Sequence, residues 1–312
     1  MKNLNFLILF LLAVNHCRCF SASLDYLLPP HMTTPEIENS TTAGVLPSEF
    51  TMIFWNLQWF PGRESTPASS EKERKHIETV RDYLKQFNPD LVFASEIRNL
   101  KEWKRLDLGY DHLACTNIPR TEKENRHLSQ QGIALTARFP WVTSWVIDFS
   151  QLPDTPDRPS RGILAAEFKL QDGKSLFCYA FHLKSNRGGL EQSHLKRERA
   201  IDYLIADWKN KGINPEKDSI VVLGDANTSL THPLFREEKT LRKLVDLGFL
   251  HQASHAEKPI DTYFPDSGDS ADIDYILISP ALQKIAQIEM KVLPSRLACS
   301  DHAPLWLRIH WK

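Results

Sequence analysis

Short polar signatures built from Asn, Glu, Asp and His recur along this chain, each at the polar end of an apolar run. They read Phe54-Trp55-Asn56-Leu57, Phe93-Ala94-Ser95-Glu96, Phe181-His182-Leu183-Lys184-Ser185, Val222-Leu223-Gly224-Asp225-Ala226-Asn227, Asp272-Ile273-Asp274-Tyr275 and Ser300-Asp301-His302. Carboxylates, amides and imidazoles gathered at strand ends are the parts of a hard-metal phosphoester hydrolase. Hydrolysis of a phosphodiester is therefore the chemistry these residues lead one to expect.

The Gly-Asp-x-Asn loop after Leu223 puts the side chains of Asp225 and Asn227 on the same side of the backbone. A carboxylate and an amide so placed can grip one water, Asp225 taking its proton while Asn227 holds it in line with phosphorus. On its own this loop reads equally well as a polar turn. Asn56 and Glu96 each close an apolar strand. As oxygen ligands they suit Mg²⁺, which takes few protein ligands and keeps waters for a phosphate to displace, and Mn²⁺ or Ca²⁺ are alternatives. Asp301 and His302 are adjacent, so one can serve metal and the other phosphate. Asp274 lies inside the apolar stretch 273–278, where a lone carboxylate is costly to bury, and is the candidate to orient His302. His182, Lys184 and Arg187 are close enough in sequence to form a phosphate clamp. Any of them taken singly is more often structural.

Composition sets the frame for these residues. At 42% hydrophobic and 25% charged the chain is ordinary globular material, and its formal net charge of -1 excludes a protein that holds nucleic acid by overall charge. A polyanion site must be local. Residues 1–23, with Lys2 and an unbroken apolar segment from Phe6 to Val14, read as a secretory signal peptide too short to span a bilayer. Export to a periplasm or the medium is expected, with lipid anchoring at Cys17 or Cys19 as the alternative. Residues 24–49, rich in Pro, Ser and Thr, read as an exposed linker carrying an Asn39-Ser40-Thr41 sequon. Downstream, Cys115, Cys178 and Cys299 are an odd set that allows at most one disulfide.

Residues 50–312 read as one catalytic domain. Ile77, Val80, Leu84 and Phe87 repeat at helical spacing, as do Ile201, Leu204, Ile205 and Trp208. Asp172-Gly173 between two apolar runs predicts a tight hairpin. Hairpins interspersed with crossover helices suggest two packed sheets with helices outside, an α/β layered sandwich. The charged stretch from Pro119 to His127 reads as surface; Trp59-Phe60-Pro61 and Trp141 to Trp145 are the apolar segments a lipid-binding loop could use, but the latter alternates like a half-buried strand and reads rather as core.

Together the signatures resemble those of the endonuclease/exonuclease/phosphatase superfamily, in its order, from Phe50 to Lys312. The resemblance implies a four-layer α/β sandwich: two packed, mainly antiparallel mixed sheets flanked by helices, with the site at one edge. By it, Asn56, Glu96 and Asp301 are metal-site residues; His182, Asp225, Asn227, Asp274 and His302 are catalytic; Lys184 and Arg187 contact substrate. Deoxyribonuclease-like members orient the earlier histidine with a glutamate, and Gln131 is the counterpart here. Ala226 replaces an aromatic found in many relatives, and the region around Asp274 is unlike that of the inositol-phosphatase members. The expected protein is a monomeric, exported, Mg²⁺-dependent phosphodiesterase acting on DNA or RNA as an endonuclease. A sphingomyelinase-like phospholipid phosphodiesterase is the alternative, and a noncatalytic surface-binding protein of the same fold comes third.

Overall fold

Alternation of side chains along apolar strands decides which residues meet. A computed structural model of the protein describes residues 30–38, 44–63, 70–116, 131–254, 258–294 and 299–312. The leader, the sequon and the charged stretch 119–127 lie outside the described residues. In chain order the strands are β1 (His31–Thr33), β2 (Glu36–Glu38), β3 (Glu49–Phe60), β4 (Leu91–Ile97), β5 (His112–Cys115), β6 (Gly132–Ala137), β7 (Thr143–Asp148), β8 (Ile163–Lys169), β9 (Ser175–His182), β10 (Ser219–Asp225), β11 (Leu250–His251), β12 (Asp274–Ile278), β13 (Ala286–Val292) and β14 (Leu305–Trp311). Helices are α1 (Ser70–Phe87), α2 (Leu100–Lys104), α3 (Leu190–Lys211), α4 (Arg242–Asp246) and α5 (Pro280–Ile285). Among the described residues no helix is long and apolar enough to cross a membrane.

The strands form two seven-stranded sheets, ordered β1-β7-β8-β9-β10-β12-β11 and β13-β14-β3-β4-β6-β5-β2. Each is antiparallel except at one central pair, β9 with β10 and β3 with β4. Inward residues of both sheets, such as Phe54, Phe93, Leu164, Val221, Leu223 and Leu307, make the central core. The alternate residues Val222, Tyr179 and Phe181 pack outward with Ile201, Leu204 and Trp208 of α3, and Ile53 and Trp55 pack with Ile77, Val80 and Leu84 of α1. The result is the expected four-layer sandwich. The helix α3 ends at Gly212, whose φ of 70° lets the chain turn left-handed so that the Ile213 N–H reaches the Trp208 carbonyl at 2.8 Å.

Two differences from the sequence reading have simple causes. Within the expected linker, β1 pairs with β7 and β2 with β5 at the outer edges of the sheets. Three-residue edge strands are too short to show a period of two. Phe60 and Pro61 are buried and Trp59 half-buried, which leaves that segment little apolar surface for a lipid, while Trp141 and Trp145 are the core residues their alternation suggests.

Gly224 carries the fold into the site. It has φ of 155°, and a Cβ placed there would collide with the carbonyl and ring of Phe181 on the neighbouring strand. We predict that Gly224→Ala costs about 3 kcal/mol, from strain and overpacking. Urea unfolding measures it, and an unchanged midpoint would contradict the close approach.

Candidate active site

Strand register assembles half of the site. On one sheet His182 is the partner of Asp225 across the β9/β10 pair, and Asp225 is the partner of Asp274 across β10/β12. Three functional side chains thus stand in one row at the strand ends. The other sheet delivers its residues through irregularity. The β3/β4 register shifts between Asn56 and Phe60, where Gln58 and Trp59 have φ of 42° and 64°. The β4/β6 register shifts around Glu96, itself at φ of 63°. Facing bulges on adjacent strands re-aim side chains, a common use of bulges near functional sites.

The contacts join the two sheets. Asn56 accepts the Gln58 N–H on Oδ1 at 3.0 Å, which turns its Nδ2 toward Asp225 Oδ2 at 2.9 Å and Glu96 Oε1 at 3.5 Å. Glu96 Oε2 accepts the Trp59 N–H at 3.0 Å. His182 Nε2 lies 3.4 Å from Asp225 Oδ2 and 3.7 Å from Glu96 Oε1. Asn227, at φ of 51°, donates its N–H to Asp225 Oδ1 at 2.8 Å and its Nδ2 to the Leu183 carbonyl at 3.1 Å. His302 Nδ1 meets Asp274 Oδ2 at 2.8 Å, leaving Nε2 directed at Asp225 Oδ2 (4.0 Å) and Asp301 Oδ1 (3.9 Å). The loop bearing His302 is stapled to β3, since Trp55 Nε1 donates to the His302 carbonyl at 2.8 Å and Ser300 Oγ to the Asn56 carbonyl at 2.6 Å.

Burial and charge then set protonation. Burial first, and then the neighbouring Asp274 charge, push Asp225 up to about 7, with His302 and the bonds from Asn227 and Asn56 opposing. Burial works against a charged His302, but Asp274, Asp225 and Asp301 outweigh it and raise the imidazole to about 10. At neutral pH His302 is an imidazolium with both ring nitrogens donating. Burial also raises Asp301.

Asp225, Asp274 and His302 each carry a potential ligand atom within 4.8 Å of the others, a group able to hold a metal ion where the imidazole gives up a ring proton. Asp274 Oδ1 is buried with no hydrogen-bond partner among the described residues, and Glu96 and Asp301 add hard oxygens nearby. So acidic a donor set suits a divalent cation.

The chain matches the model of the Endonuclease/Exonuclease/phosphatase family over residues 53–302. It belongs to that family. No curated protein matches the sequence. The fold is similar to that of a human Nocturnin catalytic domain with bound sulfate anion (TM-score 0.61, 17% identity, covering 89% of this chain and 97% of that one). It is also similar to a humanized D. rerio TDP2 (0.60, 16%, 84% and 99%) and to a Bacteroides thetaiotaomicron mannosyl-6-phosphatase (0.56, 17%, 83% and 99%). As a family member the protein is a phosphoric ester hydrolase, in a family that typically works with divalent metals.

Asn56, Glu96, His182, Asp225, Asn227, Asp274, Asp301 and His302 stand together in one cluster. Other assignments change. The hydrogen bonds of Gln131 run to Arg161 rather than to His182, because its Oε1 is taken by Arg161 Nε (3.2 Å) and Nη2. Lys184 turns its ammonium onto the carbonyls of Ser185 (2.6 Å) and Arg187, so it braces its own loop instead of facing a phosphate. Burial and the cations Arg161, Lys196, Arg197 and Arg187 lower it to about 8. Arg187 stays exposed. On α3, Arg197 is locked to Glu238 by two bonds of 2.7 Å and Arg199 to Asp157, so neither tracks a polyanion. Sequence reasoning missed Arg161 and also Tyr263, whose ring lies 4.8 Å from that of His302. The only sequence signal for Arg161 was its place just before a strand.

Two predictions follow from the protonation states. A carboxyl at 3.8 unfolded and about 7 folded binds more protons when folded, so stability falls as pH rises through that window. We predict that, in EDTA, Asp225→Asn gains on the wild type by on the order of 5–10 °C in Tm between pH 4 and pH 8. A constant Tm difference would show Asp225 unshifted. For Asp274→Asn the support of the imidazolium goes while its burial stays. With Asp225 and Asp301 still beside it, His302 should then titrate clearly below the wild-type value of about 10, as followed by histidine NMR; an unmoved titration would contradict the pairing.

Proposed function

We propose that this protein is an exported, Mg²⁺-dependent phosphodiesterase that cleaves nucleic acid as an endonuclease. The observation that carries the reaction type is Asp225, a buried carboxylate raised to about 7 and set between the Asn56 amide, the His182 imidazole and the His302 imidazolium. A base poised near neutral pH is effective in proton transfer. Asp225 accepts the proton of a water that Asn227 holds in line with phosphorus. On the other side the Nε2–H of His302, kept charged by Asp274, meets the charge that grows on the phosphoryl or leaving oxygen. His182 and the exposed Arg187 hold a nonbridging oxygen. Mg²⁺ on Glu96, with Asn56 and Asp301, would supply Lewis-acid neutralisation of the phosphate charge.

Nucleic acid is favoured as substrate by kinship of fold. A D. rerio TDP2 complexed with single strand DNA product shares it (TM-score 0.57, 15% identity, 84% of this chain and 99% of that one). The phospholipid alternative is less well supported, since Phe60, Trp141 and Trp145 are buried and Trp59 is only half-buried. Export rests on the apolar segment from Phe6 to Val14.

The test is parallel incubation of the protein lacking residues 1–23 with supercoiled plasmid DNA, RNA, sphingomyelin and p-nitrophenyl phosphate, in Mg²⁺ or EDTA. We expect metal-dependent nicking or RNA cleavage that drops at least about 10²-fold in Asp225→Ala. Turnover of the lipid alone, or of the monoester alone, would overturn the nuclease reading.

A further inference from the structure

Arg161 precedes β8, is buried, and donates from all three guanidinium nitrogens to fixed acceptors. Nε and Nη2 point to Gln131 Oε1, and Nη1 reaches the Leu183 carbonyl at 2.9 Å. That carbonyl is shared: Asn227 Nδ2 donates to it at 3.1 Å. The N–H of the same residue, Leu183, donates to the Asp225 carbonyl at 2.8 Å. Leu183 therefore ties the backbone of Asp225 and the side chain of Asn227 to a buried cation.

A carbonyl oxygen has two lone pairs, and here both are filled by amide and guanidinium donors. The planar arginine fork fixes the direction of its bonds in a way a lysine cannot. A primary amide can flip by half a turn, exchanging donor and acceptor ends. Only the NH₂ end can bond the Leu183 carbonyl, so Oδ1 becomes the other, available end of Asn227. We propose that Arg161 is a positioning residue: by fixing the Leu183 carbonyl it sets the amide orientation of Asn227, so that Oδ1 is the end offered to the attacking water. Burial disfavours the charge of Arg161, whereas the carboxylates of Glu96 and Asp225 favour it, so the site's own acids help retain the cation that orders it. The proposal rests on the reading that Asp225 and Asn227 handle the water.

Arg161→Lys keeps the charge and removes the fork. With bis(p-nitrophenyl) phosphate and Mg²⁺ as the probe, kcat should fall about 10–100-fold while KM stays within about threefold, because Arg161 acts through Asn227 and not on substrate. In an Asn227→Ala background the same change should cost less than about threefold more. Equal losses in both backgrounds, or a raised KM at unchanged kcat, would overturn the proposal. A second readout needs no turnover. In protein labelled with ¹⁵N at asparagine, the side-chain amide signal missing from Asn227→Ala belongs to Asn227. Arg161→Lys should shift it and speed its exchange, and Gln131→Met, which loosens the fork without removing it, should do so by less. An unmoved signal in both variants refutes the coupling whatever the activity. A moved signal together with full activity in Asn227→Ala would keep the coupling and refute the water-handling reading.

Discussion

Two carboxylates that would repel each other, Asp225 and Asp274, are held as cross-strand partners out of water. Register makes them neighbours, and the backbone offers one relief, the Asn227 N–H on Asp225 Oδ1. The rest comes from side chains: His302 takes Asp274 on Nδ1 and turns Nε2 toward Asp225 Oδ2, the same oxygen to which Asn56 donates. The raised carboxyl and the raised imidazole are two expressions of this one arrangement, since the same pair of acids that disfavours a charge on Asp225 favours one on His302. A base near neutrality and a persistent acid beside it follow from placing unlike groups in one buried row.

Backbone strain sits where this arrangement needs it. Gln58, Trp59, Glu96 and Asn227 all have positive φ without being glycine. Each lies at a bulge or turn that aims a functional group: the Trp59 N–H onto Glu96, the Glu96 carboxylate toward Asn56 and His182, the Asn227 N–H onto Asp225. Such conformations persist only when surrounding structure over-determines them. Here the over-determination is visible in buried, mostly apolar neighbours, with Trp55, Phe60 and Ile97 packed together beside the bulges and Phe181 against Gly224.

Much of the fold was legible because the strands that matter are apolar runs of seven or eight residues ending in a polar group. β4, β9 and β10 announce themselves, and so do Glu96, His182 and Asp225 at their ends. The hairpin at Asp172-Gly173 was equally plain, and β8 and β9 pair around it. Short edge strands were not, since three residues carry no usable period. Among side chains, identity was legible and direction was not. A lysine after a catalytic histidine suggests a phosphate ligand, yet Lys184 bends back onto its own loop carbonyls. A glutamine in an acid's place suggests a histidine partner, yet Gln131 meets a buried arginine from a segment thirty residues later. Bonds of that separation depend on sheet order, which the sequence encodes only through the whole core.

The site is split between sheets, and this ties chemistry to packing. Asn56 and Glu96 come from one sheet, His182, Asp225 and Asp274 from the other, and the distance from Asn56 Nδ2 to Asp225 Oδ2 is set by how the inward faces interdigitate. Protein interiors are close-packed and transmit small displacements. An inward substitution at Phe93 or Leu223 that shifted one sheet against the other would thus be felt first at the Asn56–Asp225 bond. The loop carrying His302 moves with Asn56, because Ser300 and Trp55 bind it to β3. His302 belongs in position to the first sheet and in electrostatics to the second, through Asp274. The sheets cannot separate without uncoupling the acid from the carboxylate that charges it.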